Sequence, residues 1–148
     1  MDLPLPAFPR ALMHPFVHAG WFHLAVNMLS LWLMRRGRTW RDWVPSFAIA
    51  SLAWLVCAPL MHRTPVGLSN MLMALAGMSA AGRRGWWRSR WLATVVFVML
   101  VQLPFPGFST ATHAASLALG AAWGALRREW RRNEMTYGKV RGHSKHNQ

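Results

Sequence analysis

Four polar residues lie within apolar stretches of the chain, and their types can support nucleophilic chemistry. His23 and Asn27 are four residues apart, which places both on one face of a helix. Ser69 and His113 each stand at the start of a later apolar stretch. A serine hydroxyl within about 2.6–3.2 Å of an imidazole becomes a nucleophile when the ring takes its proton. The sequence therefore suggests a Ser–His pair, provided that the two segments approach each other.

The chain has only four carboxylates, and their positions limit the serine chemistry that is possible. They lie at the N-terminus, in the first arginine-rich loop and in the C-terminal tail: Asp2, Asp42, Glu129 and Glu134. None of them is expected to reach Ser69 or His113. A Ser-His-Asp triad is therefore excluded, and any catalytic pair would be a dyad with no carboxylate orienting the base.

The positive charges are distributed very unevenly. Of the 17 Lys and Arg residues, 15 fall into three clusters, at 35–41, 83–90 and 127–145, and long apolar stretches separate them. A nucleic-acid-binding surface would instead spread basic residues along exposed helix faces. A soluble helical domain with 53% hydrophobic residues would need amphipathic helices to cover its core. The distribution of the net charge of +13 in three clusters therefore indicates a membrane protein with no nucleic-acid partner.

Five apolar segments are predicted to cross a lipid bilayer as helices: 12–34, 43–61, 66–82, 91–106 and 110–127. Outside the three basic clusters, the start of the chain and the remaining loops contain only two basic residues, Arg10 and Arg63. The positive-inside rule then places the clusters in the cytoplasm and the N-terminus outside. We expect an all-α, multi-pass bundle of a bacterial inner membrane, with a membrane domain over 1–127 and a basic, mostly unstructured cytoplasmic tail over 128–148.

Small residues predict that the third and the last span pack closely. One set follows a single face of the last span: His113, Ser116, Gly120 and Gly124. The other recurs at every fourth residue of the third span: Ser69, Met73, Gly77 and Ala81. Small residues at this spacing let two membrane helices approach closely. Ordinary helix packing explains the small residues but not the histidine above them, so we expect Ser69, His113 and the His23–Asn27 pair to converge near the outer leaflet.

These segments resemble the rhomboid intramembrane serine proteases. The stretch HPFVHAGWFHLAVNM at 14–28 resembles the family's His-rich span, GLSN at 67–70 resembles its Gly-x-Ser-Gly motif, and HAASLALG at 113–120 resembles its last span. Arg10 stands where the family has an arginine before the His-rich region. The motifs occur in the family's order over about residues 10–127.

The resemblance implies a function and a role for each residue. Ser69 would be the nucleophile and His113 the general base, while His23 and Asn27 would donate hydrogen bonds to the oxyanion. The protein would be a serine endopeptidase, with no cofactor and no metal, that cleaves transmembrane segments of other membrane proteins. Such a segment must open locally, because the carbonyls of a stable helix are hidden in its own hydrogen bonds.

The chain also departs from the family pattern. Asn70 replaces the glycine after the nucleophile, Met73 replaces the aromatic residue that commonly packs on the base, and Ser116 and Pro9 replace a glycine and a tryptophan. The family usually has a span before the His-rich one, so five spans are one fewer than expected for a member. None of these changes removes a catalytic atom, but Asn70 and Met73 are expected to touch the surroundings of the dyad.

Other interpretations stay open at the level of sequence. A catalytically inactive rhomboid-like protein would bind membrane clients without cutting them, and a transporter would use the polar cluster as a path. His14 and His18, four residues apart, could ligate a metal, although Pro15 disturbs the helix that would set their geometry. Cys57 lies among apolar residues and is expected to be a packing residue.

Overall fold

A computed structural model describes residues 7–18, 20–35, 38–57, 67–82, 93, 95 and 110–144. Within these ranges the regular structure is entirely helical, as the expected all-α class requires. The helices are α1 (Ala7–Met13), α2 (Trp21–Met34), α3 (Trp40–Cys57), α4 (Ser69–Gly82) and α5 (Thr110–Ser144), with a 3₁₀ turn at His14–Phe16. Nearly all of the predicted segment 91–106 lies outside the described residues, as do Asp2 and Arg63.

The first predicted span, 12–34, is not one continuous helix. The chain leaves the helical conformation at Val17, which is extended, and α2 begins only after Gly20. Pro15 in the 3₁₀ turn lacks the N–H that a continuing helix would use. Among the described residues no single helix has both the length and the hydropathy to cross a bilayer. The helical pieces Phe8–Phe16 and Trp21–Met34 meet that test only as a pair, bent by 82°.

The expectation of a mostly unstructured tail from residue 128 is wrong for the described part of the chain. Helix α5 continues without a break to Ser144. The sequence LRREWRRNEM at 126–135 consists mainly of residues with good helix propensity. Side-chain bonds one turn apart, from Arg132 to Glu129 and from Trp130 to Glu134, add to its stability.

Helices α4 and α5 form the most extensive contact in the described fold. Their backbones meet at glycines: a Cβ atom added to Gly77 would lie 2.7 Å from the backbone nitrogen of Ala121, and one added to Gly120 would lie 2.8 Å from the carbonyl carbon of Ala74. Real Cβ atoms do not approach backbone so closely, so only glycine fits. The close packing predicted from the small residues is confirmed, and it fixes the two helices relative to each other.

Helix α4 is also the centre of the apolar core. Leu72, Leu75 and Met78 are buried on it, and partly buried side chains from α2 and α3 pack against them: Leu31, Met34, Trp43 and Ile49. Because α4 is surrounded in this way, the position of its first residue, Ser69, is set by most of the fold.

Candidate functional site

Ser69 and His113 are brought into direct contact. Ser69 is the first residue of α4, and His113 lies in the first turn of α5, so the close helix pair places both side chains at the same end. The Ser69 Oγ and the His113 Nε2 are 2.8 Å apart. The imidazole is buried, while the serine is only half-buried. The distance suits transfer of the hydroxyl proton to an unprotonated Nε2.

His23 and Asn27 lie on α2 beside the segment that leads into Ser69. A Cβ added to Gly67 would lie 2.6 Å from the His23 Cε1 and 3.3 Å from the Asn27 Nδ2. Gly67 also has a φ of +104°, which side-chain-bearing residues rarely adopt. Glycine is therefore required here twice, by its backbone conformation and by the two side chains of α2 that face it. His18 adds an edge-on ring contact to His23, with centroids 5.5 Å apart.

The Asn27 side chain provides a buried amide donor. The residue is only 3% exposed, and its Nδ2 has no hydrogen-bond partner among the described residues. A buried donor left in this state costs about 1–3 kcal/mol. Unsatisfied groups of this kind are uncommon in folded proteins, and a catalytic role is one physical explanation for them. Here the donor faces Gly67, two residues before the Ser69 hydroxyl.

The side-chain nitrogen of Asn70 is directed towards His14, while its Oδ1 has no hydrogen-bond partner among the described residues. Its Nδ2 lies 3.3 Å from the His14 Nε2, and both residues are buried. The His14 Nδ1 is 2.7 Å from the carbonyl oxygen of Ala11, so Nδ1 carries the hydrogen and Nε2 accepts from Asn70. The imidazole also stacks on Trp54, with ring centroids 6.0 Å apart. Asn70 therefore joins the start of α4 to the 3₁₀ turn.

A second bond reinforces the same connection. The backbone N–H of Gly67 donates to the carbonyl oxygen of His14 over 2.8 Å. The turn at His14 thus holds the segment before Ser69 through its backbone and the segment after Ser69 through Asn70. Sequence reasoning missed this role, although a buried Asn next to the serine and a His in an apolar stretch were signals of a polar contact.

His14 is not placed as a metal ligand. Both of its ring nitrogens have partners within the protein. In the part of the chain that is described, no group of three or more His, Cys, Asp or Glu side chains is positioned to hold a metal ion.

The described carboxylates are bonded elsewhere. Asp42 pairs with Arg127, with Oδ1 and Nη1 2.6 Å apart, and Glu129 pairs with Arg132. Glu134 accepts from the Trp130 indole over 2.8 Å. Each of these pairs lies towards the C-terminal end of the α4–α5 contact, far from Ser69. The remaining acid of the chain, Asp2, is outside the described residues.

Comparisons of the chain with family models, with curated proteins and with solved structures gave no match.

Proposed function

We propose that this chain is a rhomboid-like intramembrane serine endopeptidase that cleaves transmembrane segments of other membrane proteins with a Ser69–His113 dyad. The observation that carries the proposal is the 2.8 Å contact between the hydroxyl and the imidazole, together with a nearby buried amide donor that has no partner among the described residues. A hydroxyl, a base and an unused donor are the three groups that acyl transfer requires.

The chemistry follows from these positions. The Ser69 Oγ adds to the scissile carbonyl carbon, and its proton moves to the His113 Nε2. The tetrahedral adduct collapses as that proton passes to the leaving amine, which leaves an ester on Ser69. Water then adds to the ester with His113 as base, and Ser69 regains its proton as the acid product departs. No carboxylate takes part in this sequence.

The negative charge of the tetrahedral adduct needs donors close to Ser69. The Asn27 Nδ2 is suited to this role because it is buried and has no protein acceptor within the described residues. The first N–H groups of α4 have no acceptor within the helix and add their dipoles at the same place. His23 lies beside Asn27 against Gly67 and is proposed as a further donor.

Two features support a membrane setting. Helix α2 exposes a set of large apolar side chains: Trp21, Phe22, Leu29, Trp32 and Leu33. A surface of this kind favours contact with lipid or with an apolar substrate helix. The basic clusters at 35–41 and 127–145 are far along the chain from the dyad, which favours cytoplasmic clusters, an N-terminus outside and a dyad near the outer leaflet.

A fluorophosphonate probe tests the hydrolytic proposal directly, because it phosphonylates only an activated serine. We expect the membrane-reconstituted wild-type protein to be labelled at Ser69 and the Ser69→Ala and His113→Ala variants to be unlabelled. Ser116→Ala is the matched control, because Ser116 is fully buried on the helix of His113 and its hydroxyl has no hydrogen-bond partner among the described residues.

Labelling lost in Ser116→Ala to the same extent would point to damage to the helix pair rather than to the dyad. A folded, inserted wild-type protein that stays unlabelled would contradict the protease and favour the inactive form that binds membrane clients. A reporter fused to the C-terminus tests the orientation, and a periplasmic signal would contradict it.

A further inference from the structure

The end of the α4–α5 pair opposite to Ser69 contains a cavity that the proposed chemistry does not use. Its volume is about 570 Å³, and it lies between the start of α3, the end of α4 and the middle of α5. Four arginines and one carboxylate line its polar side: Arg38, Arg127, Arg128, Arg131 and Asp42. The apolar part of its wall comes from Met78, Trp123 and two glycines, Gly82 and Gly124.

The arginines are not neutralised by the protein groups that are described around them. Asp42 pairs with Arg127 and leaves three guanidinium groups. Arg38 donates to the Ser79 hydroxyl, and Arg128 donates to the carbonyl oxygen of Ala81 over 3.1 Å, which are both uncharged acceptors.

Two of these groups have unused hydrogen-bonding capacity. The Nε of Arg128 is buried, and neither it nor the exposed Arg131 side chain has a partner among the described residues. A buried guanidinium N–H without an acceptor is costly, because it has lost water and gained nothing. An anion with several acceptor oxygens would satisfy it and balance the excess charge.

We infer that this cavity binds the phosphate of an anionic phospholipid. Guanidinium groups match phosphate geometry through paired N–H donors. The apolar wall of Met78 and Trp123 favours a lipid over a free anion, because it can cover the glycerol and the upper acyl chain. Basic cavities between membrane helices on the cytoplasmic side are suited to such headgroups. Only the membrane setting is taken from the proposed function, not the dyad.

Native mass spectrometry of the detergent-purified full chain tests the inference without measuring hydrolysis. We expect phosphatidylglycerol to be retained on the wild type and phosphatidylcholine with the same acyl chains to be lost. Arg131→Gln should weaken retention by about fivefold, which corresponds to about 1 kcal/mol per basic residue near an anionic surface. Arg38→Gln is the second variant and should act in the same direction.

Arg132→Gln is the matched control. It removes the same charge from the next residue, but Arg132 is outside the cavity lining and pairs with Glu129. We expect retention by Arg132→Gln to equal that of the wild type. Equal losses in Arg131→Gln and Arg132→Gln, or equal retention of both lipids, would overturn the site.

A measurement with inorganic phosphate distinguishes a lipid headgroup from free phosphate as the ligand. If millimolar phosphate alone protects the wild type against thermal unfolding, and Arg131→Gln abolishes the protection, the free anion is the ligand of this site and the lipid assignment is overturned. Ser69→Ala should retain phosphatidylglycerol fully. Lipid retention without fluorophosphonate labelling would contradict the proposed protease and support this lipid site. Labelling without lipid retention would support the protease and contradict the lipid site.

Discussion

The two ends of the α4–α5 pair carry opposite kinds of polar chemistry. The end at Ser69 and His113 holds neutral groups, and its buried Asn27 donor has no partner in the described structure. The end at Gly82 and Arg127 holds guanidinium groups that bond to a carboxylate, a hydroxyl and carbonyl oxygens. Each end thus keeps a buried donor that has no partner among the described residues: a neutral amide at the Ser69 end, which is the proposed outer end, and a charged guanidinium at the Arg127 end, which is the proposed inner end.

The two ends differ in the charge of their polar groups, and an apolar medium does not disfavour neutral and charged groups equally. A neutral amide without a partner costs a few kcal/mol, whereas an unpaired charge costs far more. Neutral groups therefore suit the proposed site at membrane depth, while cations concentrate where water and headgroups are close. Helix α4 has 14 residues, which separates the two ends by about 20 Å. The glycine contact between them holds both ends in register.

The largest effect is expected from removing the Asn27 donor at the proposed outer end. Asn27→Leu removes the proposed oxyanion donor and is expected to lower kcat about 10²–10³-fold, or about 2.7–4 kcal/mol in the barrier. Stability should not fall, because the change also removes a buried donor that has no partner in the described part of the chain. The rate of peptide cleavage and thermal unfolding in detergent measure the two quantities. Ser30→Ala on the same helix is the control, because its hydroxyl only bonds back to the carbonyl oxygen of Val26. Normal cleavage by Asn27→Leu would contradict the donor role.

Gly120→Ala should affect both ends together. The added methyl would meet the backbone of Ala74, so the helices must separate, and overpacking of this kind costs about 1–3 kcal/mol. We expect a lower melting temperature, slower labelling of Ser69 and weaker lipid retention. Gly20→Ala is the matched control, because nothing lies within 4 Å of its added Cβ and it lies outside the α4–α5 contact and the cavity. A Gly120→Ala protein that loses only one of the two activities would show that the ends are not coupled through this contact.

A double-mutant cycle on Asn70 and His14 sharpens the comparison at the outer end alone. The bond is long, so we expect Asn70→Ala and His14→Ala to be coupled by only about 0.5–1.5 kcal/mol. Labelling of Ser69 should slow in both single variants, because each loosens the turn that holds Ser69. Lipid retention should be unchanged. Additive effects of the two substitutions would mean that the pair does not position α4.

The sequence was sufficient for the features that depend on regular spacing. Gly77 and Gly120 recur with the helical period, so their close packing and the resulting Ser69–His113 contact could be predicted. The bend after Pro15 was harder to predict, because the hydropathy of residues 12–34 does not indicate where the chain leaves the helical conformation. The Asn70–His14 contact joins residues 56 positions apart, and no local pattern specifies it. The helical tail could have been predicted from the helix propensity of its residues, but the charge of the tail alone suggested an unstructured segment.

The smallest effect should come from the ion pair at the inner end. Burial raises the pKa of Asp42, but the hydrogen bond from the Thr39 backbone N–H and the Arg127 guanidinium outweigh it, so the pKa is lowered overall. A carboxyl group with a lowered folded-state pKa contributes stability above its unfolded value, about 3.9, and loses it as pH falls through the folded value. Asp42→Asn should therefore cost about 0.2–1 kcal/mol at neutral pH, and the gap to the wild type should close in acid.

Thermal unfolding of both proteins at neutral pH and near pH 3 measures that gap, with Glu129→Gln as the control. The Glu129–Arg132 pair is half exposed, with 55% and 52% of the two side chains accessible, so its removal should change the melting temperature little at either pH. Asp42 is only 15% accessible, and its pair joins the start of α3 to α5. If the gap between Asp42→Asn and wild type were the same at both pH values, the ionised carboxylate would not be what stabilises the inner end. The packing between α3 and α5 would then be sufficient to hold the arginines around the cavity.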